Sequence, residues 1–185
     1  MKRLMIASDI HGSIYYCKKM VEAFEREKAD RLILLGDILY HGPRNDLPRE
    51  YEPKQVIELL NQYKDKIICV RGNCDTEVDQ MVLEFPILAD YSVILIDDLF
   101  IFATHGHKYN CMNLPPHKKG DILLHGHTHV PAHVISHEEC NDMIYINPGS
   151  VTIPKNNTEN SYILYEDRCF IFKNLDGMVF DKFQL

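Results

Sequence analysis

Five short apolar runs in this chain each hand over to side chains able to bind a metal ion, and that repetition limits what the chain can fold into. The central case is Leu32-Ile33-Leu34-Leu35, followed by Gly36 and Asp37. An unbroken apolar run bounded by a glycine reads as a buried strand. An aspartate just past such a strand is costly to desolvate unless a positive charge meets it. The same handover occurs from Leu4–Ala7 to Asp9 and His11, and from Ile67–Val70 to Asn73. Phe100–Thr104 leads to His105 and His107, and Ile122–Leu124 leads to His125, His127 and His129.

Between the first runs the spacing is helical. Ser13 is placed to cap a helix whose Ile14, Cys17, Val21 and Phe24 share one buried face, and Pro53 fits the first turn of a second helix carrying Val56, Ile57, Leu59 and Leu60. Strand, helix, strand, helix, strand makes two crossover units, which predicts an α/β fold with parallel strands and helices on the sheet. From about Ser92 the texture becomes short strands, expected at 93–96, 100–104, 122–124, 132–136, 143–146, 162–165, 169–172 and 178–180. Asp97-Asp98, 138–142 and 174–177 read as hairpin turns. No linker or internal repeat breaks the chain, so residues 1–185 are expected to form one domain. At this length folding should bury roughly 70% of the unfolded surface.

In open α/β sheets ligands gather outside the carboxyl ends of the strands, so groups repeated at that edge can meet although they are far apart in sequence. A single Asp-x-His is more often a turn than a site. Three imidazoles within His125–His129 are harder to explain as a polar strand edge, since they repel once protonated and gain little from packing. Imidazoles, carboxylates and one amide oxygen suit Mn²⁺, Fe, Co, Ni or Zn better than Ca²⁺. Seven donors from such a group are too many for one tetrahedral ion and suit two ions sharing a carboxylate, which puts Asp37 in the middle.

Charge and composition exclude other classes. The formal net charge of −7 argues against a general nucleic-acid surface but not against phosphate chemistry, because bound cations can supply local positive charge. No apolar run approaches the ~18 residues of a membrane span, and the short N-terminal run closed by Asp9 is no signal-peptide core. A cytoplasmic location is expected. The six cysteines include no C-x-x-C pair; Cys17, Cys69 and Cys169 read as small core hydrophobes, and no disulfide framework is expected. Nothing in the sequence decides for or against a homo-oligomer.

The pieces Asp9-Ile10-His11, Gly36-Asp37, Gly72-Asn73-Cys74-Asp75, Thr104-His105-Gly106-His107 and Gly126-His127-Thr128-His129 together resemble the calcineurin-like metallophosphoesterases. Asn147-Pro148-Gly149-Ser150 is a further similar turn, and Gly42-Pro43-Arg44-Asn45 resembles the small bacterial and archaeal phosphodiesterase branch of that family. The resemblance implies a four-layer α/β/β/α sandwich with a dinuclear metal centre at one edge. One ion would take Asp9, His11, Asp37 and His129; the other would take Asp37, Asn73, His105 and His127. Mn²⁺ is the ion implied for bacterial members.

The activity implied is hydrolysis of a small phosphate ester by a hydroxide activated between the two ions, with no nucleophilic side chain. Where many relatives carry a histidine, this chain has Cys74, a weak hydrogen-bond donor. A preference for diesters or activated esters, whose leaving groups need little protonation, is therefore expected. Cys74, His107 and Arg44 are the candidates for substrate contact. His41, His117, His133 and His137 are expected at the surface, and His125 is left unassigned. Two rivals share the fold: a non-catalytic scaffold of the retromer-subunit type and a metal-dependent nuclease. The complete ligand set speaks against the first, and the acidic balance against the second.

Overall fold

The computed structural model describes residues 3–135 and 140–185. In chain order its elements are β1 (Leu4–Ala7), α1 (Ile14–Glu27), β2 (Arg31–Leu34), α2 (Pro53–Asn61), β3 (Ile67–Cys69), α3 (Glu77–Gln80), β4 (Tyr91–Ile96), β5 (Leu99–Thr104), β6 (Ile122–Leu124), β7 (Pro131–Ile135), β8 (Ile144–Pro148), β9 (Ser161–Glu166), β10 (Cys169–Asn174) and β11 (Val179–Gln184). The expected strand end at Ser136, the turn residues Glu138 and Glu139, and His137 lie outside the described residues. The short α3 and a single 3₁₀ turn at Lys64–Lys66 have no counterpart in the sequence reading, being too brief to show a period.

Two sheets face each other. The first has the order β11-β10-β9-β1-β2-β3, and the second β4-β5-β6-β8-β7. β1, β2 and β3 run parallel, as the crossover units require. β5, β6 and β8 also run parallel in the second sheet. Alternation along each strand builds two cores at once. Leu4, Ile6 and Ile33 point between the sheets to meet Ile101, Ile122 and Ile146. Met5, Ala7, Leu32 and Leu34 point the other way, against Cys17, Met20 and Phe24 of α1 and Leu60 of α2. Both faces of these strands are buried, which is why their sequences are continuous apolar runs rather than alternating ones. Each such side chain contributes roughly 1.5–3 kcal/mol by leaving water.

α1 begins at Ser13, whose Oγ accepts a hydrogen bond from the Tyr16 backbone N–H at 3.3 Å, and it stops at Lys28 in the left-handed conformation. The outer face of the second sheet carries a smaller cluster, in which Phe102, Leu123 and Met143 meet Tyr109 and Leu114 from the segment after β5. That segment also holds a bridge that the sequence reading did not anticipate. Cys111 and Cys140 form a disulfide, their Cα atoms 4.6 Å apart across 29 residues of sequence. One bridge is no framework, and a spacing this wide carries no signal until the segment folds back over the sheet. None of the described helices is long and apolar enough to cross a membrane.

Candidate metal centre

The segments leaving β1, β2, β3, β5 and β6 meet at one edge of the sandwich. Backbone hydrogen bonds zip the first two together: Asp9 N–H donates to Gly36 O at 3.1 Å and His11 N–H to Asp37 O at 2.9 Å. Five of the seven candidate ligands, Asp9, His11, Asp37, His127 and His129, hold φ between 49° and 66°. That region is sparsely populated for residues other than glycine and costs of order 1–3 kcal/mol where packing enforces it. Its concentration on the candidate ligands marks a site whose geometry outranks backbone comfort.

Three imidazoles are oriented in the same way. His11, His105 and His129 each donate Nδ1–H to a backbone carbonyl, of Tyr40 (2.8 Å), Leu35 (2.6 Å) and Ile153 (2.6 Å) respectively. The other ring nitrogen of each, Nε2, then presents a lone pair to the interior. His11 and His129 face each other there at 3.4 Å, and both face Asp9 Oδ1, at 3.6 and 3.2 Å. On the other side His105 Nε2 stands 3.1 Å from Asn73 Oδ1, 3.1 Å from His127 Nδ1 and 3.5 Å from Asp37 Oδ2. Asp37 Oδ2 is also 3.7 Å from His11 Nε2, so its carboxylate stands between the two groups.

The donor set can be tested for fit to cations. Asp9 Oδ1 is buried and accepts no hydrogen bond, an orphaned carboxylate oxygen beside lone pairs. Lone pairs gathered at 3.1–3.7 Å repel unless a proton or a metal ion lies among them. Asp9–His11–His129 and Asp9–Asp37–His105 each bring one donor atom per residue within 4.8 Å of one another, the compass of a single ion. The residues therefore fit a pair of divalent cations. The electrostatics agree. Burial opposes the Asp9 carboxylate, but the imidazoles of His11 and His129 outweigh it and hold its pKa well below the usual range. Burial likewise opposes a charged His11, and Asp9 outweighs it to raise that pKa.

Close backbone approach sets the positions. A Cβ on Gly126 would lie 2.0 Å from Ser8 Oγ and 2.8 Å from Asp9 Oδ2, and one on Gly72 would lie 2.1 Å from Asp37 Oδ1. Only glycine lets these turns press against the two carboxylates.

The substrate candidates fall in different places. Arg44 and Cys74 line a cleft of about 510 Å³ with His11, Asp37, Asn73 and His127. Cys74 Sγ joins a third possible donor triad with His11 and Asp37, but burial, and then the Asp37 charge, push its pKa up and keep it a thiol. His107 packs against His105, ring centroids 5.4 Å apart, and burial, then the neighbouring His105, lowers its pKa to about 4. His125 is a buried histidine tilted against Tyr145 with ring centroids 4.6 Å apart, its pKa lowered to about 4 by burial. His41, His117 and His133 are half-buried rather than fully at the surface; His133 stacks on Phe183 and pairs with Asp181.

Several residues that shape the site were given no role in the sequence reading. Asp75 accepts three backbone N–H bonds, from Asp37 (2.8 Å), Ile38 (2.9 Å) and Gly72 (2.7 Å), and so clamps the Asp37 turn to the Asn73 turn. Ser150 and Thr152 donate their hydroxyls to the Asp9 and Ile10 carbonyls at 3.0 and 2.7 Å. Asn147 Nδ2 reaches Gly126 O at 2.9 Å and Thr128 Oγ1 at 3.0 Å. The turn Asn147–Ser150 was visible as a motif piece; its bond to the segment after β1, more than a hundred residues away, was not.

Residues 1–168 match the family model of the calcineurin-like phosphoesterase superfamily domain. The chain belongs to that superfamily. It is 47% identical over 162 residues to the phosphodiesterase YfcE of Escherichia coli strain K12, covering 88% of this chain and 86% of the relative. The solved structure described as YfcE, a phosphoesterase from E. coli, superposes with a TM-score of 0.93 at 42% identity, covering 98% of each chain. A phosphodiesterase of Methanocaldococcus jannaschii is 29% identical over 155 residues, 80% of this chain and 82% of its own. Vacuolar Protein Sorting 29 from Cryptosporidium parvum shares the fold, with a TM-score of 0.61 at 17% identity over 100% of this chain and 98% of that one. The resemblance implied an α/β/β/α sandwich, and the mixed α/β architecture with two facing sheets is that of the family.

Proposed function

We propose that this chain is a metal-dependent phosphodiesterase that acts on a small phosphodiester from one domain spanning residues 1–185. The observation that carries the reading is the Asp37 carboxylate standing between His11 and His105, at 3.7 and 3.5 Å, beneath an open cleft. Asp9, His11, Asp37 and His129 would hold one divalent ion, and Asp37, Asn73, His105 and His127 the other. Mn²⁺ suits this oxygen and nitrogen set. When bound, a pair of such ions supplies an activated water and neutralises charge on the phosphoryl oxygens.

The chain's own residues do the rest. The carbonyls of Tyr40, Leu35 and Ile153 each hold an Nδ1 proton, so that in three histidines Nε2 is the nitrogen left to face an ion. Arg44, on the cleft wall, offers a cation to a non-bridging phosphate oxygen. Cys74, kept as a thiol, donates only weakly to a departing oxygen, which favours diesters with good leaving groups. The phosphodiesterase relative at 47% identity supports the same substrate class.

Protein stripped with a chelator should turn over bis(p-nitrophenyl) phosphate at background rate, and added Mn²⁺ should restore activity with two ions per chain by elemental analysis. Asp37→Asn should lose both the activity and at least one ion. Undiminished turnover in the stripped protein, or uptake of no ions, would refute the reading.

A further inference from the structure

Cys74 lines two cavities. One is the cleft over the candidate metal ligands; the other, of about 390 Å³, shares Cys74 with it and is walled by Leu39, Tyr40, Tyr51, Ile57, Val78 and Val82. The chemistry changes at that residue. On the cleft side stand His11, Asp37, Asn73, His127 and Arg44, while on the other side the walls are two phenol rings and aliphatic side chains. Lys54 and Asp79 also reach this second cavity, so its charges balance, and the Asp79 carboxylate is already engaged by Thr76 N–H and Oγ1, both at 2.8 Å.

The apolar wall is left open to solvent. Tyr40 is 42% exposed, Val82 44% and Val78 69%. Large apolar side chains held open around a concavity next to polar chemistry mark a ligand surface. The wall is also tied to the centre, because Tyr40, which lines the pocket, is the residue whose carbonyl orients His11.

We propose that this second cavity is a subsite for an aromatic ester group of the phosphodiester, seated between Tyr40, Tyr51 and the Val78–Val82 segment while its phosphate lies in the cleft. The inference rests on the phosphodiesterase reading and narrows it to diesters bearing an aryl group. The shared wall at Cys74 sets the occupant: a group that reaches past it from the cleft must be covalently close to the phosphate there. Burying one ring against such walls should improve binding roughly tenfold or more over a methyl group.

The test holds the leaving group constant. Methyl p-nitrophenyl phosphate and phenyl p-nitrophenyl phosphate are compared with the Mn²⁺-loaded protein, and dimethyl and diphenyl phosphate are compared for binding by titration calorimetry. The expected result is a phenyl preference of roughly tenfold, carried by KM, and a matching preference in binding. Val78→Asp and Val82→Asp, at exposed positions whose unfolding midpoints are checked alongside, should each cut both preferences below about threefold. Equal handling of phenyl and methyl by the unaltered protein, or a preference that survives both substitutions, overturns the subsite while leaving the phosphodiesterase reading standing. Binding preference that the variants abolish, without turnover of either ester under any metal, keeps the subsite and overturns the reading of the activity.

Discussion

Asp75 shows how much of this centre depends on groups that never face it. Its carboxylate is buried, and burial, followed by the charge of Asp37, raises its pKa. It persists because three backbone N–H groups, of Asp37, Ile38 and Gly72, point at it. Removing it frees the turn that aims Asp37. Asp75→Ala should therefore weaken Mn²⁺ binding about 10–100-fold, as loss of a ligand's supporting partner does elsewhere. Asp75→Asn, which keeps an acceptor oxygen, should lose less; titration calorimetry with Mn²⁺ measures both, and equal affinity in all three proteins would remove Asp75 from the site. The candidate ligands were legible in the sequence because each lies within five residues of a strand's end. Asp75 was not, because its work is done through hydrogen bonds to Asp37 and Ile38, remote in sequence, and a carboxylate in a turn looks the same whatever it accepts.

The helices and strands were readable from their periods, yet what docks α1 onto the first sheet includes a polar contact that no period reveals. Glu27, at the end of α1, accepts from Lys173 Nζ at 2.8 and 2.9 Å and from the Tyr162 hydroxyl at 2.6 Å, with the Lys173 and Glu27 side chains only 14% and 11% exposed. Burial opposes the carboxylate, but Lys173 and Tyr162 outweigh it and lower the pKa below 4.5. A carboxyl whose folded pKa is depressed contributes stability that is fully present above the unfolded value and is lost as pH falls through the lower folded one. Glu27→Gln should thus cost about 1–3 kcal/mol at pH 7, leaving Lys173 half-paired in a poorly hydrated place. The gap to the unaltered protein should close as pH drops from about 5 toward 3. Urea unfolding across that range checks it, and a gap independent of pH would mean the loss is packing rather than charge. The same limit explains α3, the 3₁₀ turn and the Cys111–Cys140 bridge: elements of one turn, and cysteines 29 residues apart, have no pattern to read.

Neither sheet holds the candidate centre alone. Asp9, His11, Asp37 and Asn73 follow β1, β2 and β3 of the first sheet, whereas His105, His127 and His129 follow β5 and β6 of the second. The motif order could place every donor at a strand end, but it could not say that the two sets of ends face each other. That depends on the apolar layer between the sheets, where Leu4, Ile6 and Ile33 meet Ile101, Ile122 and Ile146. A metal pair at this edge would brace the same layer, since it would join loops that otherwise repel through clustered carboxylates and lone pairs. Ions that bind the folded chain alone stabilise it by about 2.7 kcal/mol each at a hundred times their dissociation constant. For a chain of this size that corresponds to roughly 5–10 °C in Tm per ion. Calorimetric scans of stripped protein over a series of Mn²⁺ concentrations should therefore show Tm climbing with the logarithm of free metal, with Ca²⁺ giving a smaller rise because its ligand preference is all oxygen. His105→Ala and Asp9→Ala, altering one sheet's contribution each, should both flatten that climb; a slope untouched by either would place the bound metal somewhere other than the junction of the sheets.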